Sequence, residues 1–254
     1  MQTKNNTQNY KDCIDIIMPA YNCEKYINQA IETVKQQTYT NWRLIIINDK
    51  STDNTKNEIT KEQNEKITII DLKENVGVAE ARNIGIKEAQ NRYIAFLDAD
   101  DMWEKDKLEK QLKFMKKNDY EFTYTSFAYL KNEKRKEVKK IPQSLNYKQA
   151  LKNTIILTST VMIDREKVKE IHMPNIPSED TATWWNILKT GAIAHGLNER
   201  LTTYRVTKQG LSSNKIKNSK KTWDLYKKQE AFSYIKSMYF FSHYMVNAIK
   251  KRVI

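Results

Sequence analysis

Three carboxylates fall within four residues at Asp98, Asp100 and Asp101, directly after the apolar run Tyr93-Ile94-Ala95-Phe96-Leu97. A short apolar run reads as a buried strand, so these acids emerge where a low-dielectric interior meets solvent. Like charges placed there repel one another and are costly unless a cation or a polyhydroxyl ligand lies between them. The chemistry this suggests is that of a divalent metal site. Two duller accounts use the same residues. A solvated strand end could supply helix-capping aspartates before Trp103-Glu104-Lys105-Asp106-Lys107-Leu108. A calcium loop would count Asp98, Asp100 and Glu109 as positions 1, 3 and 12, but it would then place Met102 at position 5 and Trp103 where the loop needs glycine.

A rigid frame must hold such a cluster, and the apolar pattern provides one. Ile14 to Met18 reads as a strand stopped by Pro19, and Glu24 to Gln37 as a helix with Tyr26, Ile27, Ala30, Ile31 and Val34 on its apolar face. Arg43 to Ile47 is a second strand, ending at Asn48-Asp49, with a helix beginning near Ser51-Thr52. Ile67 to Ile70 is a third, followed by Glu74-Asn75-Val76-Gly77 and a helix from Val78 to Gln90, and Tyr93 to Leu97 is the fourth. Strands apolar throughout and separated by helices form a parallel sheet covered on both faces, which binds ligands outside the carboxyl ends of its strands. All four strands here end in polar or acidic segments that would line one crevice. Neither a Gly-rich dinucleotide fingerprint nor a phosphate loop is present.

Further along, Tyr120 to Leu130 reads as a strand at the sheet edge, followed by a charged loop or hairpin tip from Lys131 to Lys140. Thr158 to Ile163 reads as another strand, and Glu179-Asp180 opens a helix through Leu188. Two short strands are expected at Gly191 to Leu197 and Leu201 to Val206. Lys221 to Ile254 reads as one long helix with Trp223, Leu225, Phe232, Ile235, Tyr239, Phe241, Met245, Val246 and Ile249 on a broad apolar face. Such a helix suits either an anionic membrane interface or packing on the preceding domain or a second subunit, as in a homodimer.

The 254 residues allow one sizeable core, and the net charge of +13 is unevenly spread. Lys215 to Ile254 holds ten Lys or Arg against Asp224 and Glu230, and Lys131 to Lys140 holds six against two. A nucleic-acid partner is disfavoured, because no recognised binding signature occurs and the charge lies away from the crevice. Cys13 and Cys23 have no metal-ligand spacing and read as reduced thiols. Met1 to Tyr10 resembles no signal peptide, and no run is long enough to span a bilayer, so a cytoplasmic location, or one on the cytoplasmic face of a membrane, is expected.

Taken in order, Ile17-Met18-Pro19-Ala20-Tyr21-Asn22, Ile47-Asn48-Asp49-Lys50-Ser51-Thr52-Asp53, Asn75-Val76-Gly77 with Ala81-Arg82-Asn83, Phe96-Leu97-Asp98-Ala99-Asp100-Asp101 and Glu179-Asp180 resemble the motif set of the family 2 inverting glycosyltransferases. The likeness spans roughly residues 13 to 213. It implies the α/β GT-A fold, a Rossmann-like mixed sheet, mostly parallel and flanked by helices. The expected organisation is a disordered 1–10, a catalytic domain over 11–213 and a basic amphipathic helical segment over 214–254.

By the same resemblance the donor is a nucleotide-sugar, a UDP-sugar first, with Pro19, Ala20, Tyr21 and Glu24 bordering the nucleoside. A non-catalytic nucleotide-sugar-binding protein that keeps the fold is the alternative. Asp49 would accept from the base, Arg82 approach the phosphates, and Asp98 with Ala99 meet the ribose. Asp100 would hold Mg2+ or Mn2+, hard cations suited to oxygen donors. Asp180 would be the general base acting on a hydroxyl of a glycan or lipid-linked acceptor in surface polysaccharide assembly. A helix N-terminus there favours its ionised form and lowers its basicity. Asn48 and Lys50 stand where Asp and Gly are usual, and Thr207 where many relatives have a histidine, with Lys208 beside it. Trp184 and Trp185 read either as a sugar-stacking platform or as core.

Overall fold

The computed structural model describes residues 12–137, 140–207 and 215–253. The first half of the chain alternates strand and helix: β1 (Ile14–Ala20), α1 (Ile27–Lys35), β2 (Trp42–Asn48), α2 (Thr55–Thr60), β3 (Ile67–Asp71), α3 (Val78–Glu88) and β4 (Tyr93–Phe96). The second half is more irregular: β5 (Met102–Trp103), α4 (Lys107–Asn118), β6 (Phe122–Lys131), β7 (Lys134–Glu137), β8 (Ser144–Leu145), α5 (Tyr147–Leu151), β9 (Val161–Asp164), α6 (Glu179–Lys189), β10 (Ala194–Arg205), α7 (Lys215–Asp224) and α8 (Tyr234–Val253). One sheet takes all of these strands, in the order β3-β2-β1-β4-β9-β6-β10-β5, with β7 paired to β6 and β8 to β10.

β3, β2, β1 and β4 are mutually parallel. Beyond them β9 runs antiparallel to both β4 and β6, while β10 returns parallel to β6. Alternate residues of each strand enter opposite cores, which is why the strands are apolar throughout. Ile17, Ile45, Ile47 and Phe96 join one core, whereas Ile16, Met18, Leu44 and Leu97 join the other. α1 buries Ile27, Ala30, Ile31 and Val34 in the second core. α3 lies so close to the first that a Cβ on Gly85 would meet Ile17 Cγ2 at 2.6 Å. Burial pushes the free Cys13 and Cys23 thiols up to about 11 and about 12.

Four sequence expectations need correction. β6 is interior, paired with β9 on one side and β10 on the other. Only Val161–Asp164 of the expected strand at Thr158 is extended, because Thr158–Thr160 closes a 3-10 turn through the Thr160 amide and the Leu157 carbonyl. The two short strands after Gly191 are one, β10, whose register shifts at Leu197, Arg200 and Thr202 absorb the Asn198-Glu199 interruption. The single long C-terminal helix is two: α7 passes into a π-helical turn at Leu225–Gln229, and the chain turns at Ala231, φ 50°, before α8. The turn buries Leu225 and Tyr226 against α6, where Tyr226 stacks on Trp185 at 5.3 Å.

Candidate active site

The carboxyl ends of the parallel strands β1, β2, β3 and β4 bring the four predicted segments to one end of the sheet, and side chains clasp them together. Asn22 takes a left-handed backbone, φ 47°, and its Oδ1 accepts from the Thr52 amide at 2.8 Å. Glu24 accepts from the Asn54 amide at 2.8 Å, and its own amide donates to Asp53. Lys50 adopts φ 58°, a left-handed backbone of the kind that suits the glycine expected there from the resemblance. Asn48, in place of an aspartate, donates to Asp71 Oδ1 at 2.6 Å and accepts from the Ser51 amide. Ala20 is buried at the end of β1, its carbonyl accepting from the Asp49 amide, while Tyr21 stands at the rim, 51% exposed.

Asp49 is buried, and its carboxylate draws in the loop before α3. It accepts from the Val76 amide at 2.7 Å, the Gly77 amide at 2.9 Å and Asn75 Nδ2 at 3.1 Å. Gly77 sits at φ 86°, a conformation that only glycine adopts without strain. The carboxylate that the resemblance assigns to the base is thus also the anchor of the segment opposite it.

The acidic cluster divides by environment. Asp101 is buried, accepts from Ser159 Oγ at 2.5 Å and the Arg205 amide at 2.9 Å, and burial and its acidic neighbours push its carboxyl well above the usual range. Ser159 Oγ also accepts from the Asp98 amide at 3.0 Å, which fixes the turn. Asp98 faces Arg82. Burial first, and then Asp98, raise Asp100 to about 6. Arg205 borders Asp100: its Nε donates to the Asp100 carbonyl at 3.0 Å, its Nη2 to Gln29, and its guanidinium lies 4.8 Å from the centre of the Tyr26 ring. Ala99 between them is buried.

On the far side of Arg82, α6 begins at Ser178, φ 62°, with Glu179 and Asp180 in its first turn. Arg82, nearly fully buried, donates from Nη2 to Asp98 Oδ1 and from Nη1 to Glu179 Oε1, each at 2.6 Å. Burial opposes its charge, but the two carboxylates outweigh that, so its pKa moves up. Asp180 accepts from the Thr181 amide at 2.7 Å and from Thr158 Oγ1 at 3.3 Å. Burial, and then Glu179, push Asp180 up to about 6. The lowering expected of a helix N-terminus is therefore overcome by desolvation.

The structure gathers Pro19, Ala20, Tyr21, Glu24, Asp49, Arg82, Asp98, Ala99, Asp100 and Asp180 around one end of the sheet. Sequence reasoning missed the roles of Ser159, Thr158, Asp101, Glu179 and Arg205. Arg205 sits in the stretch singled out for its missing histidine, and its basic character was the available signal. Lys208 lies outside the described residues. Trp184 and Trp185 are both buried and form no platform; Trp184 packs edge-on to Phe96.

Asp98 and Asp100 are hard oxygen donors, and Asp100 has no cationic partner within ion-pair distance among the described residues. No group of three or more His, Cys, Asp or Glu gathers there among the described residues. Mg2+ or Mn2+, which bind through one or two carboxylates plus ligand phosphates, would take Asp100 as an oxygen donor.

Residues 15–171 match the family described as glycosyl transferase family 2. TuaG of Bacillus subtilis (strain 168), a glycosyltransferase assigned to teichuronic acid biosynthesis, is 44% identical over 96% of this chain and 99% of its own length. WfgD of Escherichia coli, a UDP-Glc:alpha-D-GlcNAc-diphosphoundecaprenol beta-1,3-glucosyltransferase, is 35% identical over 94% of each chain. In three dimensions the chain resembles S. aureus TarS, with a TM-score of 0.70 at 16% identity over 92% of this chain and 71% of the TarS chain. By sequence match and by fold the chain belongs to glycosyl transferase family 2 and is a glycosyltransferase of GT-A architecture.

Proposed function

We propose that this chain transfers a hexose or N-acetylhexosamine, with inversion, from a UDP-sugar to a hydroxyl of a lipid-linked glycan in cell-surface polysaccharide synthesis. The observation that carries this reading is the double tie between the acidic segment after β4 and the start of α6. Arg82 joins Asp98 to Glu179, and the Thr158-Ser159 turn joins Asp180 to Asp98 and Asp101. Donor-side acids and the candidate base are thereby held in one rigid arrangement, as single in-line displacement requires.

Asp180, raised to about 6, is ionised at neutral pH yet basic enough to take the acceptor's proton as its oxygen attacks the anomeric carbon. Arg82 keeps Glu179 and Asp98 compensated, so that Asp180 carries the base. Arg205 presents positive charge beside Asp100, where charge grows on the departing diphosphate. Asp100, with Asp98, would hold Mg2+ or Mn2+, which when bound offsets that same charge. The segments after β1, β2 and β3 would border the nucleoside, with Asp49 meeting the base. Residues 11–213 would form the catalytic unit.

The relatives' names support the UDP donor and the diphospholipid acceptor. Calorimetric titration of UDP, dTDP and GDP with and without Mn2+, on wild type and Asp100→Ala, tests the donor site. Metal-dependent UDP binding that disappears in the variant is expected. No nucleotide binding by folded wild type would overturn the reading.

A further inference from the structure

α8 shows two unlike faces. Inward, Phe240 packs with Phe232 and Tyr226, whose ring stacks on Trp185 of α6, and Asn247 donates to the Lys152 carbonyl at 2.9 Å. Outward, Tyr234, Ile235, Met238, Tyr239, Met245 and Val246 are six of the eight large exposed apolar side chains among the described residues, Ile235 at 82% and Tyr234 at 64%. At 100° per residue these six, with Ser242, fall within an arc of ~140° on one side of the helix. The helix is 20 residues long, which is ~30 Å, yet no described helix is long and apolar enough to cross a membrane. Exposed apolar surface of this extent marks an interaction site.

Charge selects the occupant. Between Tyr234 and Asn247 no carboxylate occurs, and Lys250, Lys251 and Arg252 follow at one end while Lys227 and Lys228 precede at the other. The two acids of the whole C-terminal segment are engaged: Asp224 pairs with Lys228 and Glu230 with Lys189. Two copies meeting stripe to stripe would bring net positive ends together in either orientation, since Asp224 offsets Lys228 while Lys227 and Lys236 have no carboxylate partner among the described residues. An anionic bilayer surface meets both requirements at once, taking the apolar stripe among its acyl chains and the flanking lysines at its headgroups.

We propose that the outward face of α8 is an in-plane anchor for an anionic lipid bilayer. Its inner face is fixed to α6 through the Phe240, Tyr226 and Trp185 stack, so the anchor is rigidly joined to the helix that begins at Asp180. The inference goes beyond the transfer reaction and stands or falls without donor or acceptor.

The test is co-sedimentation of the full chain with phosphatidylcholine vesicles, with and without phosphatidylglycerol, for wild type and for the double variant Ile235→Ser, Met238→Ser. Both side chains are exposed, so the variant should melt at the wild-type temperature. Wild type should bind the anionic vesicles at least ~10-fold more tightly than the neutral ones, and the variant should lose at least ~10-fold, or ~1.4 kcal/mol. Added salt should weaken binding. Equal binding by variant and wild type, or no binding to either vesicle, overturns the proposal. So does sedimentation velocity showing a dimer that the variant dissolves, since the stripe would then cover a second copy.

Discussion

Replacing Asp180 with Asn separates two consequences of its burial. The native carboxyl sits at about 6 against an ordinary 3.8, so the folded state binds its proton more tightly than the unfolded chain does. The sign follows from linkage: this group favours folding most below about 3.8, and that advantage is lost as pH rises through about 6. Above pH 6 the wild type therefore carries a cost of about 3 kcal/mol, at ~1.4 kcal/mol per pKa unit. Asn keeps an acceptor for the Thr181 amide and never ionises. In EDTA, thermal unfolding followed by circular dichroism should show the variant more stable than wild type at pH 8 by roughly 5–10 °C, a gain that vanishes by pH 4. On the proposed function, sugar transfer should fall ~10²–10⁴-fold. In the wild type, turnover should fall about tenfold per pH unit below about 6. A variant no more stable at pH 8 than wild type would refute the desolvation argument. Transfer within a few-fold of wild type would refute the base assignment.

Arg82→Gln leaves Asp98 and Glu179 without their shared cation, and urea unfolding should show a loss of roughly 3–5 kcal/mol. Arg82→Lys keeps the charge but cannot span both carboxylates and should fall between. Because Arg82 lowers the Asp180 pKa, the acid limb of turnover should move to higher pH in Arg82→Gln, and an unmoved limb would break the proposed coupling. Lys50→Gly relieves a left-handed backbone worth ~1–2 kcal/mol, partly offset by glycine's greater chain entropy, so a net gain of about 0.5–1 kcal/mol is expected in urea. A loss there would mean that the Lys50 side chain contributes to the fold.

The order of apolar strands and helices through Phe96 was legible because each strand of a covered parallel sheet is apolar along its whole length, and because each ends in a segment whose residue types suit no core. The acidic cluster, the clasp residues Asn22 and Asp53 and the α6 start could be read for the same reason. The likeness to family 2 made that reading specific. What the sequence left undecided depends on neighbours distant along the chain. Strand β6 lies inside the sheet only because β9 and β10, far downstream in the chain, pair with it on either side. Trp185 is core because Tyr226 folds back onto it, and the C-terminal helix breaks where that burial requires a turn. Local charge patterns could not show that Arg82 is held between Asp98 and Glu179, nor that Ser159 ties Asp98 to Asp101. Nor could they rank the helix N-terminus against burial at Asp180, since desolvation is set by everything packed around a group, and only the tertiary structure assembles those surroundings.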